Sequence, residues 1–325
     1  MSVATLGITM GDPSGVGPEI ICKALAKLSG EQRSQCLVIG GGEFLRRANA
    51  LCETGLGFGS GPGDVAVEAV ATPLQDEIRD STETAGGGHA AHGYVVRAVE
   101  LAQSGAIGAI VTAPLNKAAL HMAGHKYDGH TELLQHLTGA PSTYMLLASE
   151  TLKVAHVTTH VSLNGAIKGT RTQRILDTMR AGRDHLRRLG IDNPRIACAG
   201  LNPHCGEGGL FGNEDTEQIV PAVAAARAEG IEASGPYAAD TVFFRASKGE
   251  FDLVIANYHD QGHIPVKLIA FHTAVNVSLG LPIERCSVDH GTAFDIAWTG
   301  KAEPTNMLSA LTYGRRLAET PATAP

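Results

Sequence analysis

The sequence predicts an α/β protein of layered architecture, and three observations carry that expectation. Apolar, strand-like runs alternate with helical patterns along almost the whole chain. The runs are short and continuously apolar rather than alternating, as expected for parallel strands covered on both faces. The 39 glycines are spread over many tight turns, which suits a fold in which many loops approach a ligand.

Taken in order, strands are predicted near residues 5–10, 36–40, 108–112, 143–148, 153–159, 194–199, 252–256 and 273–278. Helical patterns lie between them, among others from Gly93 to Ser104, from Thr172 to Leu189, and from Glu214 to Ala228 with its alanine-rich face. The glycine-rich segment from Glu53 to Asp64 reads as a surface loop, and Thr320 to Pro325 as a frayed tail. The turn Gly11-Asp12-Pro13-Ser14-Gly15-Val16-Gly17-Pro18-Glu19 follows a strand and opens a helix. Its Asp and Pro spoil a G-x-G-x-x-G fit and no Walker A sequence is present, so a Rossmann cofactor turn is not expected.

Composition points to a cytoplasmic metabolic enzyme. The 325 residues suffice for a large core, and 43% hydrophobic with 18% charged residues is globular rather than disordered. A formal net charge of −7 without a Lys/Arg run argues against a nucleic-acid surface. The six cysteines show no C-x-x-C spacing and read as reduced thiols. No apolar stretch is long enough to span a membrane, and Met1-Ser2-Val3-Ala4 does not begin a signal peptide.

Three predicted strands lead into a histidine: Lys153-Val154-Ala155-His156-Val157-Thr158-Thr159-His160, the run from Arg195 to Asn202-Pro203-His204, and the run from Phe251 to Tyr258-His259. Ligands sit at the carboxyl ends of strands in open α/β sheets, so three such imidazoles can converge on a divalent metal. His204 is followed by the irregular Gly206-Glu207-Gly208-Gly209, and His259 by Asp260, Gln261, Gly262 and His263, polar side chains that a buried strand does not carry without a task. The plainer alternative is a set of ordinary polar strand ends.

A late loop, Asp289-His290-Gly291-Thr292-Ala293-Phe294-Asp295-Ile296-Ala297-Trp298-Thr299-Gly300, resembles the adenosine-binding loop of the isopropylmalate and isocitrate dehydrogenase superfamily. With the turn at 11–19, Thr112-Ala113-Pro114-Leu115-Asn116-Lys117, Gly129-His130-Thr131-Glu132, Gly200-Leu201-Asn202-Pro203-His204, Tyr258-His259-Asp260-Gln261-Gly262 and Ser287-Val288-Asp289-His290-Gly291-Thr292-Ala293, it makes the chain resemble the 4-hydroxythreonine-4-phosphate dehydrogenase family. These segments occur in the family's order and cover nearly the whole chain.

The resemblance implies a two-lobed α/β/α fold of the isocitrate/isopropylmalate dehydrogenase type. Residues 1–135 and 280–325 would form the cofactor lobe, and 136–279 the metal and dimer-interface lobe. It implies oxidation of a small anionic hydroxy acid with NAD, NADP being the alternative, followed by decarboxylation, in a homodimer whose subunits share the site. One divalent ion (Zn, Mg, Mn or Co) would be held by His160, His204 and His259. Substrate contacts would fall to His130, Thr131, Lys267, Asn276 and Arg285, and cofactor contacts to His290, Gly291, Thr292 and Asp295. Asp240, Asp260 and Lys267 would stand near the chemistry.

Several positions carry two readings. Lys267 is an anion ligand or a solvated lysine, Arg285 an anion ligand or one half of a surface pair with Glu284, and Lys117 a proton donor or a surface helix start. His89 and His92, three apart, form a metal pair or a solvated helix start, the latter being the expectation. Trp298 and Phe271-His272 depart from the family pattern and leave the substrate open: 4-hydroxythreonine 4-phosphate, a phosphorylated four-carbon sugar acid, or a cis-dihydrodiol dicarboxylate. A non-catalytic metal- or nucleotide-binding protein on the same fold is the reading of a different class.

Overall fold

A computed structural model describes residues 5–319, so the tail from Thr320 lies outside the described residues. The chain folds as an α/β protein in two compact units, one built from residues up to Thr143 and again from Leu281, the other from Tyr144–Gly280.

In the first unit, strands β1 (Leu6–Thr9), β2 (Cys36–Gly40), β3 (Ala66–Ala69) and β4 (Ala109–Thr112) are joined by the late strand β11 (Arg285–Ser287). They run parallel in the order β3-β2-β1-β4-β11, with Leu6 opposite both Cys36 and Ala109, and Arg285 opposite Ile110. β1 and β4 are buried at every position, as continuous apolar runs in a covered parallel sheet should be. β3 and β11 were not anticipated. Ala66-Val67-Glu68-Ala69 is only partly buried at one end of this order, and Arg285-Cys286-Ser287 is too short and polar to show strand periodicity.

In the second unit, β5 (Tyr144–Ala148), β6 (Lys153–His156), β7 (Ile196–Ala199), β8 (Ala233–Tyr237), β9 (Leu253–Ala256) and β10 (Val275–Leu279) follow the order β10-β5-β6-β9-β7-β8. β5 is antiparallel to both β10 and β6, and the remaining pairs are parallel. Leu147, Val154, Ala197, Val254 and Ala256 pack with Val242, Phe243 and Val266 from the covering helices. The sequence pattern does not predict β8, because Gly235-Pro236 interrupts its apolar run.

The helix expected from Gly93 begins at Ala85, where Thr84 caps it by accepting the Gly87 N–H at 3.0 Å. Three successive glycines hide this start in a propensity reading, yet all three are buried inside the helix. The helix Thr172–Arg188 stands one residue short of its expected end, and the segment after Glu214 opens with a π-turn, Asp215–Ile219, before Val220–Ala228. Among the described residues no helix is long and apolar enough to cross a membrane, and all six cysteines are free thiols.

Candidate active site

The histidines of the second unit are placed by strand ends. β6 stops at His156, and the chain then runs through Val157, whose N–H bonds to Ala256 O at 2.8 Å, to the exposed His160. β9 stops at Ala256, and His259 opens the helix His259–Ala270. Two side chains between and just after these points fasten the turn. Asn257 donates Nδ2–H to Ala199 O at 2.8 Å, and Gln261 donates Nε2–H to Gly200 O at 2.7 Å while its Oε1 accepts the Asn257 N–H. The end of β9 is thereby tied to the end of β7, from which the His204 loop departs.

That loop is a tight left-handed turn: His204, Cys205, Gly206, Glu207 and Gly208 all have φ between 43° and 81°. For the three non-glycine residues this conformation costs about 1–2 kcal/mol each. The buried carboxylate of Asp215 offsets part of it, accepting the N–H groups of Leu201 (2.8 Å) and Asn202 (3.0 Å) and the Asn202 amide (2.9 Å).

His160 and His259 come together, with ring centroids 5.7 Å apart. His259 Nδ1 lies 2.8 Å from Asp260 Oδ1, a contact that in the neutral ring places the proton on Nδ1 and the lone pair on Nε2, the tautomer a metal ligand needs. His204 makes no ring contact with this pair among the described residues. Nor does any group of three His, Cys, Asp or Glu side chains able to hold a metal assemble within one copy of the chain, again among the described residues. The donor chemistry of His160 and His259 fits a divalent ion, but one chain brings together two of the three predicted ligands.

Beside His259 the helix forms one wall of a cavity of about 660 Å³, which is lined by Asp240 and Asp260 and by Phe243, Phe244, Ile264 and Leu268. Asp240 and Asp260 are exposed. Lys267 is half-buried, its Nζ lying 5.9 Å over the Phe271 ring, and Asn276 is half-buried on β10. Behind His259 stand two further histidines. His263 stacks on His259 at 3.7 Å and 11°, and its Nδ1 lies 3.1 Å from Nε2 of the buried His156. His156 Nδ1 faces Met145 O at 3.2 Å, and burial, then His263, pushes its pKa down to about 3.

In the first unit, Arg285 is buried and donates Nη2–H to Thr112 Oγ1 at 2.6 Å, which removes the surface-pair reading. Burial lowers its pKa to about 10. Nearby His130 opens a helix, and its Nε2 is closed off from solvent without a hydrogen-bond partner. Burial, then the Arg285 charge, holds its pKa well below the usual histidine range. Thr131 follows, half-buried. Lys117 sits on the surface in an ion pair with Asp128 at 2.7 Å, which matches its plainer reading.

The cofactor-like loop is anchored on the first turn and helix. Glu19 accepts the N–H groups of Trp298 (2.5 Å) and Gly300 (2.7 Å), and Lys23 donates to Gly300 O and Ala302 O. Val16 N–H bonds to Thr292 O, and a Cβ on Gly15 would meet Thr292 at 2.9 Å, so only glycine fits there. His290, Gly291 and Asp295 are exposed along this loop while Thr292 is buried. Trp298, at φ 58°, turns its indole inward: Nε1–H donates to Pro13 O at 3.0 Å, and Arg47 lies over the ring at 4.0 Å.

His89 and His92 are half-buried rather than solvated, a departure from the expectation. His92 stacks on His125 at 3.6 Å, and His89 Nδ1 lies 3.2 Å from His125 Nε2. Burial, then His125 and His89, lowers the His92 pKa to about 4. Sequence spacing could not show this, because His125 arrives from a distant loop.

Comparison with known proteins agrees with this architecture. The family described as pyridoxal phosphate biosynthetic protein PdxA matches residues 32–314. The D-threonate 4-phosphate dehydrogenase of Cupriavidus necator is 45% identical over 331 residues, covering 96% of this chain and 97% of that protein. The 4-hydroxythreonine-4-phosphate dehydrogenase of Geobacter metallireducens is 43% identical over 320 residues, covering 96% and 94%. A crystal structure of 4-hydroxythreonine-4-phosphate dehydrogenase from Klebsiella pneumoniae has a TM-score of 0.89 to this chain at 44% identity, covering 97% and 99%.

Proposed function

Because this chain belongs to the pyridoxal phosphate biosynthetic protein PdxA family, we propose that it oxidises a phosphorylated four-carbon hydroxy acid with NAD and a divalent metal, as a homodimer. It is a dehydrogenase with the isocitrate dehydrogenase-like fold. The observation that carries the metal-dependent reading is the His160–His259 pair, with Asp260 holding the His259 proton on Nδ1. His204 is the proposed third ligand, supplied across a two-fold interface. The exposed apolar side chains Phe244, Ile264, Leu268 and Phe271 beside the site support a second copy of the chain as the occupant of that face.

A divalent ion bound there would act as a Lewis acid, lowering the pKa of the substrate hydroxyl and polarising the ketone that replaces it. NAD would accept the hydride from the hydroxyl-bearing carbon and is assigned to the loop carrying His290, Gly291, Thr292 and Asp295. Asp260 keeps the His259 ring in its ligating tautomer, leaving Asp240, on the same cavity, to take the hydroxyl proton. After carbon dioxide leaves the β-keto acid, the carbon that carried it takes a proton, for which Lys267 Nζ is the proposed donor. Arg285 gives a charge-assisted contact to the substrate's anionic group, with His130, Thr131 and Asn276 adding neutral hydrogen bonds.

Stripping the protein with a chelator and restoring Mg, Mn, Co or Zn separately tests this, with NADH formation followed on three substrates. D-threonate 4-phosphate, 4-hydroxythreonine 4-phosphate and a cis-dihydrodiol dicarboxylate separate the substrate classes. Turnover of a phosphorylated acid only after metal is restored is the expected result. Full turnover in the stripped enzyme, or none on either phosphorylated acid, refutes the proposal.

A further inference from the structure

The structure assigns His263, backed by His156, as a positioning residue for His259, an inference that rests on the metal reading above. The hydrogen-bond chain leaves one arrangement of protons. Met145 O can only accept, so the His156 proton sits on Nδ1, 3.2 Å from that carbonyl, and Nε2 presents its lone pair. His263 Nδ1 lies 3.1 Å from this nitrogen and 3.0 Å from His259 O. Both neighbours are acceptors, so His263 Nδ1 carries a proton shared between them.

Each end of this lock is fixed by the fold. His156 is 1% exposed and pairs with Met145 in the register of β6 on β5. Gly262 lets the helix His259–Ala270 lie on β6, because a Cβ there would come within 2.3 Å of His156 Nε2. His263 therefore cannot turn about its ring axis without losing a buried hydrogen bond. Its face lies 3.7 Å from the His259 ring and nearly parallel to it, which blocks rotation of His259 from one side. Asp260 holds the edge of the same ring through Nδ1. Together they aim His259 Nε2 before any ion arrives, the preorganisation that outer partners give to ligating histidines.

The test is cobalt titration of the full-length, metal-stripped protein, reading affinity and the visible d–d spectrum, with thermal melts of the metal-free forms as the fold control. His263→Leu should bind Co²⁺ about 10–100-fold more weakly with an altered spectrum, while its metal-free form still melts cooperatively, lowered only by the loss of one buried hydrogen bond. His156→Val, at the far end of the lock, should weaken binding in the same sense. The double variant should be no weaker than His263→Leu alone, since His156 acts through His263. Unchanged affinity and spectrum in both single variants, with binding lost in His259→Ala, overturns this inference alone. Wild-type binding by His259→Ala refutes the three-histidine reading and removes this inference with it.

Discussion

Leu268→Glu probes whether the site is completed by a second copy. Leu268 is 85% exposed in the single chain and borders the cavity that holds Asp240 and Asp260. Burying a leucine at an interface contributes about 1.5–3 kcal/mol, and two-fold symmetry counts the residue twice, so its loss costs about 3–6 kcal/mol. At about 1.4 kcal/mol per tenfold, the dimer Kd should rise by at least ~10²–10⁴, before any cost of burying two glutamates. Sedimentation equilibrium gives the Kd, and cobalt binding at the same concentrations should fall in step with dimer content. The folded chain itself should melt as before, because Leu268 packs little within it. A variant that stays dimeric with wild-type Kd refutes the placement of the interface, and a monomer that binds cobalt at full affinity refutes the shared site.

Arg285→Lys should raise KM about 10–100-fold with a smaller change in kcat, since a buried guanidinium that donates to Thr112 is replaced by a point charge; steady-state kinetics decides it. His185, 5% exposed in the helix Thr172–Arg188, has its pKa lowered from 6.5 to about 3 by burial. A depressed histidine pKa means the unfolded chain binds the extra proton, so the stability is present above pH ~6.5 and about 3 kcal/mol is lost by pH ~4. Denaturant titrations across that range should show the loss, and His185→Leu should flatten the slope by about one proton. Asp12, fully buried with its carboxyl raised from 3.8 to about 6 by burial, has the opposite sign. Its contribution is present below pH 3.8 and lost as pH rises through about 6, so Asp12→Asn should gain about 3 kcal/mol at pH ~8 and nothing at pH ~3.5. An Asp12→Asn protein less stable at high pH would show that the ionised carboxylate is needed there.

The alternation of strands and helices and the strand-end histidines His160, His204 and His259 could be read from the chain because each rests on local pattern, whereas Arg285 and the loop at 289–302 stood as candidates through family resemblance. Continuous apolar runs such as Val154-Ala155 and Leu253-Val254-Ile255-Ala256 are readable wherever a parallel strand is covered on both faces. β3, β8 and β11 were not legible, since a half-buried or interrupted strand owes its existence to its neighbours rather than to its own periodicity.

Proton positions and partnerships belong to the tertiary structure. Sequence alone could not say whether Arg285 lies on the surface, and its burial beside Thr112 is a property of the fold. It likewise gave His263 a task without saying which. That task depends on His156, more than a hundred residues away in sequence, and on a glycine that lets a helix lie on a strand. Residue type and spacing determine what chemistry a side chain can perform. Burial, tautomer and long-range contact determine whether it does, because these are properties of three-dimensional neighbours that no local window contains.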